Sequence, residues 1–261
     1  MRYLKLFASF FRTSLIREIE FRSGFITLFL IVLAEMVMTV TFFSVLYGSV
    51  PSIKGWSYAE ALLLVGTFMM LTNLTHALFY RNFSRMSLYV NEGRLDYLLT
   101  KPIDPQFFIS LRYTAMADVL NMITSVIITV FAISRLHIDV SLGLIFGYST
   151  LLILGIAIIY GIWFLISILS FWLTEVEEIQ ELWNSLFEYA RYPRQIYSGA
   201  IRLLFTILIP LLTIVAFPAE FFLRRVSSPA IAYNLALAAG LLVATRLLWN
   251  VGLRRYSSAS S

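Results

Sequence analysis

Six stretches of this chain are apolar enough and long enough to cross a lipid bilayer: Gly24–Tyr47, Tyr58–Phe79, Thr114–Ser134, Leu142–Leu173, Leu203–Phe222 and Ala230–Val251. A hydrocarbon core about 30 Å thick takes about 20 helical residues to span. In lipid every backbone polar group must be paired, so a crossing segment is either a helix or a strand of a closed barrel. Barrel strands alternate in polarity over about ten residues. Leu151–Tyr160 (LLILGIAIIY) does not alternate. The fold class that follows is an all-α polytopic membrane protein, a bundle of six transmembrane helices. Charged residues are only 13% of the chain, against about a quarter in a soluble domain.

The sequence has no cysteine, which excludes disulfides and thiolate metal sites. A pI of 9.5 is read as basic loops facing anionic lipid, not as nucleic-acid binding. The basic residues also set orientation. The N-terminal segment carries Arg2, Lys5, Arg12, Arg17 and Arg22; the loop after the second span carries Arg81, Arg85, Arg94, Lys101 and Arg112. The loop after the fourth span adds Arg191 and Arg194, and the C-terminus adds Arg254 and Arg255. Lys54, Arg135, Arg224 and Arg225 fall on the other side. Positive charge stays in the cytoplasm, so both termini are expected inside and the larger loops face the cytoplasm. Arg224 and Arg225 go against the rule and imply an external turn or a re-entrant hairpin.

Met1–Arg22 reads as an interfacial helix, with Leu4, Phe7, Phe11 and Leu15 at helical spacing and Arg12, Arg17 and Arg22 on the polar side. A plain basic lead-in to the first span is the alternative. The first 22 residues are charged throughout and lack the apolar core of a cleaved signal peptide. Gly143 and Gly147 are spaced to let a second helix approach closely, a candidate dimer seam. Pro210 and Pro218 are expected to kink the fifth span. The glutamates Glu175, Glu177, Glu178, Glu181 and Glu188 read as a continuation of the fourth helix into the cytoplasm, ended by Tyr192–Pro193. Residues 257–261 are expected to be a disordered tail.

Chemistry-bearing residues are few. No metal-ligand spacing, nucleophile turn or phosphate-binding glycine loop occurs, so the chain is expected to be no enzyme by itself and to bind no cofactor. Ionisable residues at membrane depth are Glu35, Glu60, His76, Asp118, Glu220 and Arg246. Such groups are functional candidates by default, and Glu35 lies deepest. It could line a path, pair with another helix, or serve a proton-coupled carrier. The soluble stretch Leu88–Tyr113 holds a short amphipathic helix, Arg94–Thr100, with Leu95, Leu98 and Leu99 on one side and Arg94 and Asp96 exposed. Gly93 precedes it; Pro102 and Pro105 stop it.

The run Gly93–Phe108 (GRLDYLLTKPIDPQFF) resembles the first cytoplasmic loop of one branch of the ABC-2 permease superfamily, and Tyr192–Pro193 with the following Ile201–Pro210 and Pro218–Leu223, and the closing Trp249–Tyr256, resemble that family too. The resemblance covers essentially the whole chain, which reads as a single permease domain over residues 1–256. It implies a subunit that pairs with a second permease copy or a sister subunit and with cytoplasmic ABC ATPase subunits, which would carry ATP and magnesium. It implies export across the plasma (inner) membrane. By this resemblance Met1–Arg22 is the amphipathic connecting helix and Glu92–Asp104 the coupling region. The ATPase-contacting residues would be Glu92, Gly93, Arg94, Leu95, Asp96, Leu98, Leu99, Lys101 and Pro102, and Leu98→Asp would weaken coupling. Ala216–Pro229 corresponds to an external turn where relatives carry a longer re-entrant pair, expected to be short here. A non-transporting membrane scaffold is the alternative function. Aromatic residues along the spans, among them Phe42, Phe43 and Phe68, suit an amphipathic cargo and equally suit helix packing.

Overall fold

A computed structural model describes residues 2–19 and 22–256. The expected tail, 257–261, lies outside them, as do Met1, Glu20 and Phe21 of the expected interfacial helix. Of the described residues 81% are helical, and none of them forms a strand. Helix α1 (Arg2–Ile19) precedes α2 (Arg22–Tyr47) and α3 (Tyr58–Thr75). A π-helical turn, His76–Tyr80, carries α3 on into α4 (Arg81–Phe83) and α5 (Met86–Asn91). Then come α6 (Leu95–Leu99), α7 (Pro105–Leu111), α8 (Met116–Arg135) and α9 (Leu142–Ile168). The chain closes with α10 (Glu177–Phe187), α11 (Gly199–Leu203), α12 (Leu211–Phe222) and α13 (Ser228–Arg255).

Among the described residues, five helical stretches are long and apolar enough to cross a membrane: Phe29–Tyr47, Tyr58–Asn91, Met116–Arg135, Leu142–Phe171 and Ser228–Arg255. They match five of the six spans read from the sequence. Local signals place their starts. Ser57 and Glu60 form a reciprocal capping box on α3, Ser141 caps α9, and proline occupies the first turn of α7 and of α13. Gly66 lets α3 lie against α8: a Cβ there would stand 3.1 Å from the backbone nitrogen of Thr129. Gly161 does the same for α9 against Leu241 of α13. Gly147 packs on Phe221 within this chain, so its small size serves an internal contact.

Both described chain ends lie at one end of the bundle, termed proximal. Arg2 reaches the Pro102 carbonyl (2.5 Å) and Tyr256 packs 6.3 Å from Phe171, beyond the end of α9. The α2–α3, α8–α9 and α12–α13 connections mark the distal end.

The remaining span is corrected by the structure. The stretch Leu203–Phe222 is not one crossing: helical segments 199–207 and Leu211–Phe222 meet at 81° across Ile209–Pro210. The kink expected at Pro210 is therefore a full break, while α12 runs on through a buried Pro218. The acidic stretch after α9 does not extend that helix. The chain turns after Phe171 and starts afresh at α10, whose first turn holds Glu177 and Glu178, charges that suit a helix N-terminus. Gln180 bonds to Ser167 Oγ (3.0 Å) and the Phe83 carbonyl (3.2 Å) near the proximal end. Phe187 stacks on Phe68 at mid-height (5.6 Å), and Gln195 accepts from Trp56 Nε1 (2.9 Å) at the distal end. Residues 177–196 thus climb the bundle. Eleven α-helical residues followed by tighter 3₁₀ turns and two extended residues cover about 30 Å, one hydrocarbon thickness.

The two segments of 199–222 therefore start and finish distally. A Cβ on Gly155 of α9 would stand 3.3 Å from the Ile214 carbonyl oxygen, so the first turns of α12 sit at mid-height. Phe222 meets Tyr148 near the distal end of α9 (5.8 Å). This dip and return makes a re-entrant pair of 24 residues by position (199–222), longer than the short external turn expected at Ala216–Pro229. Arg194 moves with this correction from the proximal to the distal side.

Candidate functional site

The sequence-derived candidates fall at two places. The first is the proximal loop between α5 and α7. Gly93 has φ +69°, the left-handed turn that ends α5 and frees the chain to start α6. Leu95 and Leu98 point into the bundle, Leu98 being 2% exposed. Leu99, expected beside them, is 40% exposed, and Tyr97 is 66% exposed. On so short a helix Leu99 stands a full turn beyond Leu95 and past the edge of the buried face. Tyr97, which sequence reasoning passed over, lies two residues from Leu95, about 200° around a helix, and so must face away. That spacing was the signal for it.

Arg94 and Glu92 pair with each other (2.6 Å) on the surface. Asp96 is half-buried. Lys101 rests its ammonium 4.3 Å from the Tyr97 ring and 5.3 Å from Phe108. The Pro102 carbonyl receives Arg2, which ties α1 to this loop. The outward surface is therefore Glu92, Arg94, Tyr97, Leu99 and Lys101, while Leu95 and Leu98 hold it to the bundle. Since Leu98 is core, Leu98→Asp would damage the fold before it reported on coupling.

The loop is also wired to the spans. Asp104 caps α7 through Phe107 N (3.0 Å) and pairs with Arg246 of α13 (2.8 Å). Arg246 also donates to Gln106 Oε1 (3.1 Å). Gln106 Nε2 and Ser110 Oγ both meet Tyr160 OH of α9 at 3.1 Å. Short polar contacts thus join α7 and its cap to α9 and α13.

The second place is a cavity of about 270 Å³ between α2, α3 and the turn after α10, bordered by Glu35, Phe42, Phe43, Phe68, Asn73 and Arg191. Glu35 is exposed and, among the described residues, has neither an ion pair nor a hydrogen bond. Asp118 of α8 lies within electrostatic reach of it. Arg191 pairs with Glu188 and lies 5.1 Å from the Phe68 ring. The structure thus groups Glu35 with Arg191 and Glu188, a juxtaposition that the expected cytoplasmic placement of Glu188 and Arg191 does not suggest. Four of the other ionisable residues of the spans have partners: Glu60 with Arg225 (2.5 Å), Glu220 with Arg194 (2.8 Å), Arg246 with Asp104, and His76 stacked on Tyr80 (5.0 Å).

A family model described as ABC-2 family transporter protein matches residues 33–260. No curated protein and no solved structure matches the chain.

Proposed function

Because the chain belongs to the ABC-2 transporter family, and is thus a multi-pass membrane component with a permease role, we propose that it is the permease subunit of an ATP-driven exporter. Cytoplasmic ABC ATPase subunits dock on its proximal end, which carries most of the Lys and Arg residues and is assigned to the cytoplasm on that ground. One observation supports this reading: α6 and the residue before it turn Arg94, Tyr97 and Leu99 outward while the nearby Asp104 and Gln106 are bonded to two long helices. A partner that closes on that surface pulls on α9 and α13 directly. Nucleotide shifts the equilibrium only by its differential affinity for the two arrangements.

A second permease copy fits the open side of α2, of whose apolar span only 11% is buried. An exposed carboxylate on a lipid-facing helix is costly, so Glu35 favours a protein neighbour and an aqueous path between the two copies.

The test replaces Tyr97 and Leu99 (Tyr97→Ala, Leu99→Ala) in the protein purified with its ATPase. An exposed tyrosine at an interface centre is worth about 2 kcal/mol or more, a loss of about thirtyfold in affinity. The double variant is expected to fold, insert and lose both the copurifying ATPase and its stimulation. Full retention of the ATPase and of transport would overturn the assignment. If the unaltered protein copurifies with no ATPase, the scaffold reading takes its place.

A further inference from the structure

At the proximal end three arginines from three elements converge on one aromatic ring. The guanidinium carbons of Arg85, Arg112 and Arg17 lie 4.4, 5.0 and 5.8 Å from the centre of Tyr113. Arg17 comes from α1, Arg85 from the α4–α5 junction and Arg112 from the end of α7. The ring is a fixed platform. Asn82, buried, donates Nδ2 to the Tyr113 carbonyl (2.7 Å) and accepts from the Tyr113 N–H (2.9 Å). The next amide, Thr114 N–H, donates to Ser14 Oγ of α1 (3.2 Å). Arg112 also donates to Tyr89 OH (3.4 Å).

Among the described residues none of these three arginines forms an ion pair with a carboxylate. Three like charges held within a screening length of one another repel. The contact with the ring offsets part of that, and an anion between them would offset the rest. Guanidinium forks bind phosphate oxygens in pairs. Leu15 and Ile16, adjacent to Arg17 on α1, are exposed, so an apolar surface adjoins the charged one. Charge with adjoining apolar surface on a helix of interfacial pattern suits an amphiphile better than a free ion.

We propose that Arg17, Arg85 and Arg112, gathered on Tyr113, bind the phosphate of an anionic phospholipid headgroup and pin α1 to the membrane surface. The cluster adjoins the proposed ATPase surface, since Arg112 and Lys101 lie 5.2 and 5.3 Å from the same Phe108 ring, and it shares no residue with the lining of the Glu35 cavity.

The experiment uses the full chain, purified and stripped of lipid in a neutral detergent, and follows thermal unfolding. Phosphatidylglycerol, phosphatidylcholine and inorganic phosphate are titrated separately. Phosphatidylglycerol is expected to raise the midpoint saturably, and the other two to leave it unchanged. Each arginine replaced is expected to weaken the apparent lipid affinity about fivefold, in Arg17→Gln, whose exposed position leaves folding intact, and further in Arg85→Gln with Arg112→Gln. Arg254→Gln with Arg255→Gln removes the same charge from the same end and is expected to leave the affinity within a factor of two. Equal losses in the two double variants, no preference over phosphatidylcholine, or an equal response to inorganic phosphate would overturn the proposal.

Discussion

Arg194→Ala tests whether residues 177–196 really climb to the distal end. Glu220 is 1% exposed, and its Oε1 accepts from Arg194 Nε (2.8 Å) and Gln195 Nε2 (3.3 Å). Its second oxygen is buried without a partner. Removing Arg194 leaves a buried carboxylate held only by Gln195. Breaking a buried pair from one side costs about 3–5 kcal/mol; Arg194 is itself partly exposed, so the lower end, about 3 kcal/mol, is expected. In a domain of this size about 1 kcal/mol moves the melting midpoint by about 2–4 °C, which gives a fall of about 6–12 °C in detergent or nanodiscs. Glu220→Gln removes the charge that needs compensation, so combining it with Arg194→Ala is expected to recover about half of the loss. That recovery separates a coupled pair from two independent defects. If Arg194→Ala melts with the unaltered protein, or the double variant is no better than Arg194→Ala alone, the two residues do not meet and the climb of α10 is wrong.

Gln195→Cys gives a direct reading of the same geometry, because the chain has no cysteine of its own. A membrane-impermeant maleimide added outside intact cells is expected to label it, whereas labelling only after permeabilisation would return the segment to the cytoplasm. Asn234 is fully buried with both amide atoms unpartnered, so Asn234→Leu is expected to stabilise the bundle by about 1–3 kcal/mol and raise the melting midpoint by a few degrees. A lower midpoint would mean that the amide is satisfied in the working protein.

The sequence made the five long helices legible because each alone satisfies the bilayer, and nothing in tertiary packing can hide a run of apolar residues of that length. The fifth crossing satisfies no such rule. Gln180, Trp183 and Phe187 form one buried face on α10, but Glu177, Glu178 and Glu181 lie elsewhere on it, so its mean hydropathy resembles that of a loop. It crosses on the strength of its neighbours: Ser167 and the Phe83 carbonyl hold Gln180, Tyr80 OH donates to Glu181 (2.7 Å), and Arg191 answers Glu188. Each of those partners is distant in sequence or one turn away, and only the assembled bundle brings them together. The same cause explains the misplaced re-entrant pair. Residues 203–222 have a span's composition, and the break at Pro210 decides between a kinked crossing and a dip only once the end of α10 is known to lie distally. The proximal loop between α5 and α7 shows the opposite case, where local pattern is enough to place Leu95 and Leu98 inward and fails by one residue at Leu99. A helix of five residues has one buried edge rather than a face, and which leucine falls off that edge is set by how Gly93 aims the helix, a dihedral angle the sequence permits but does not state.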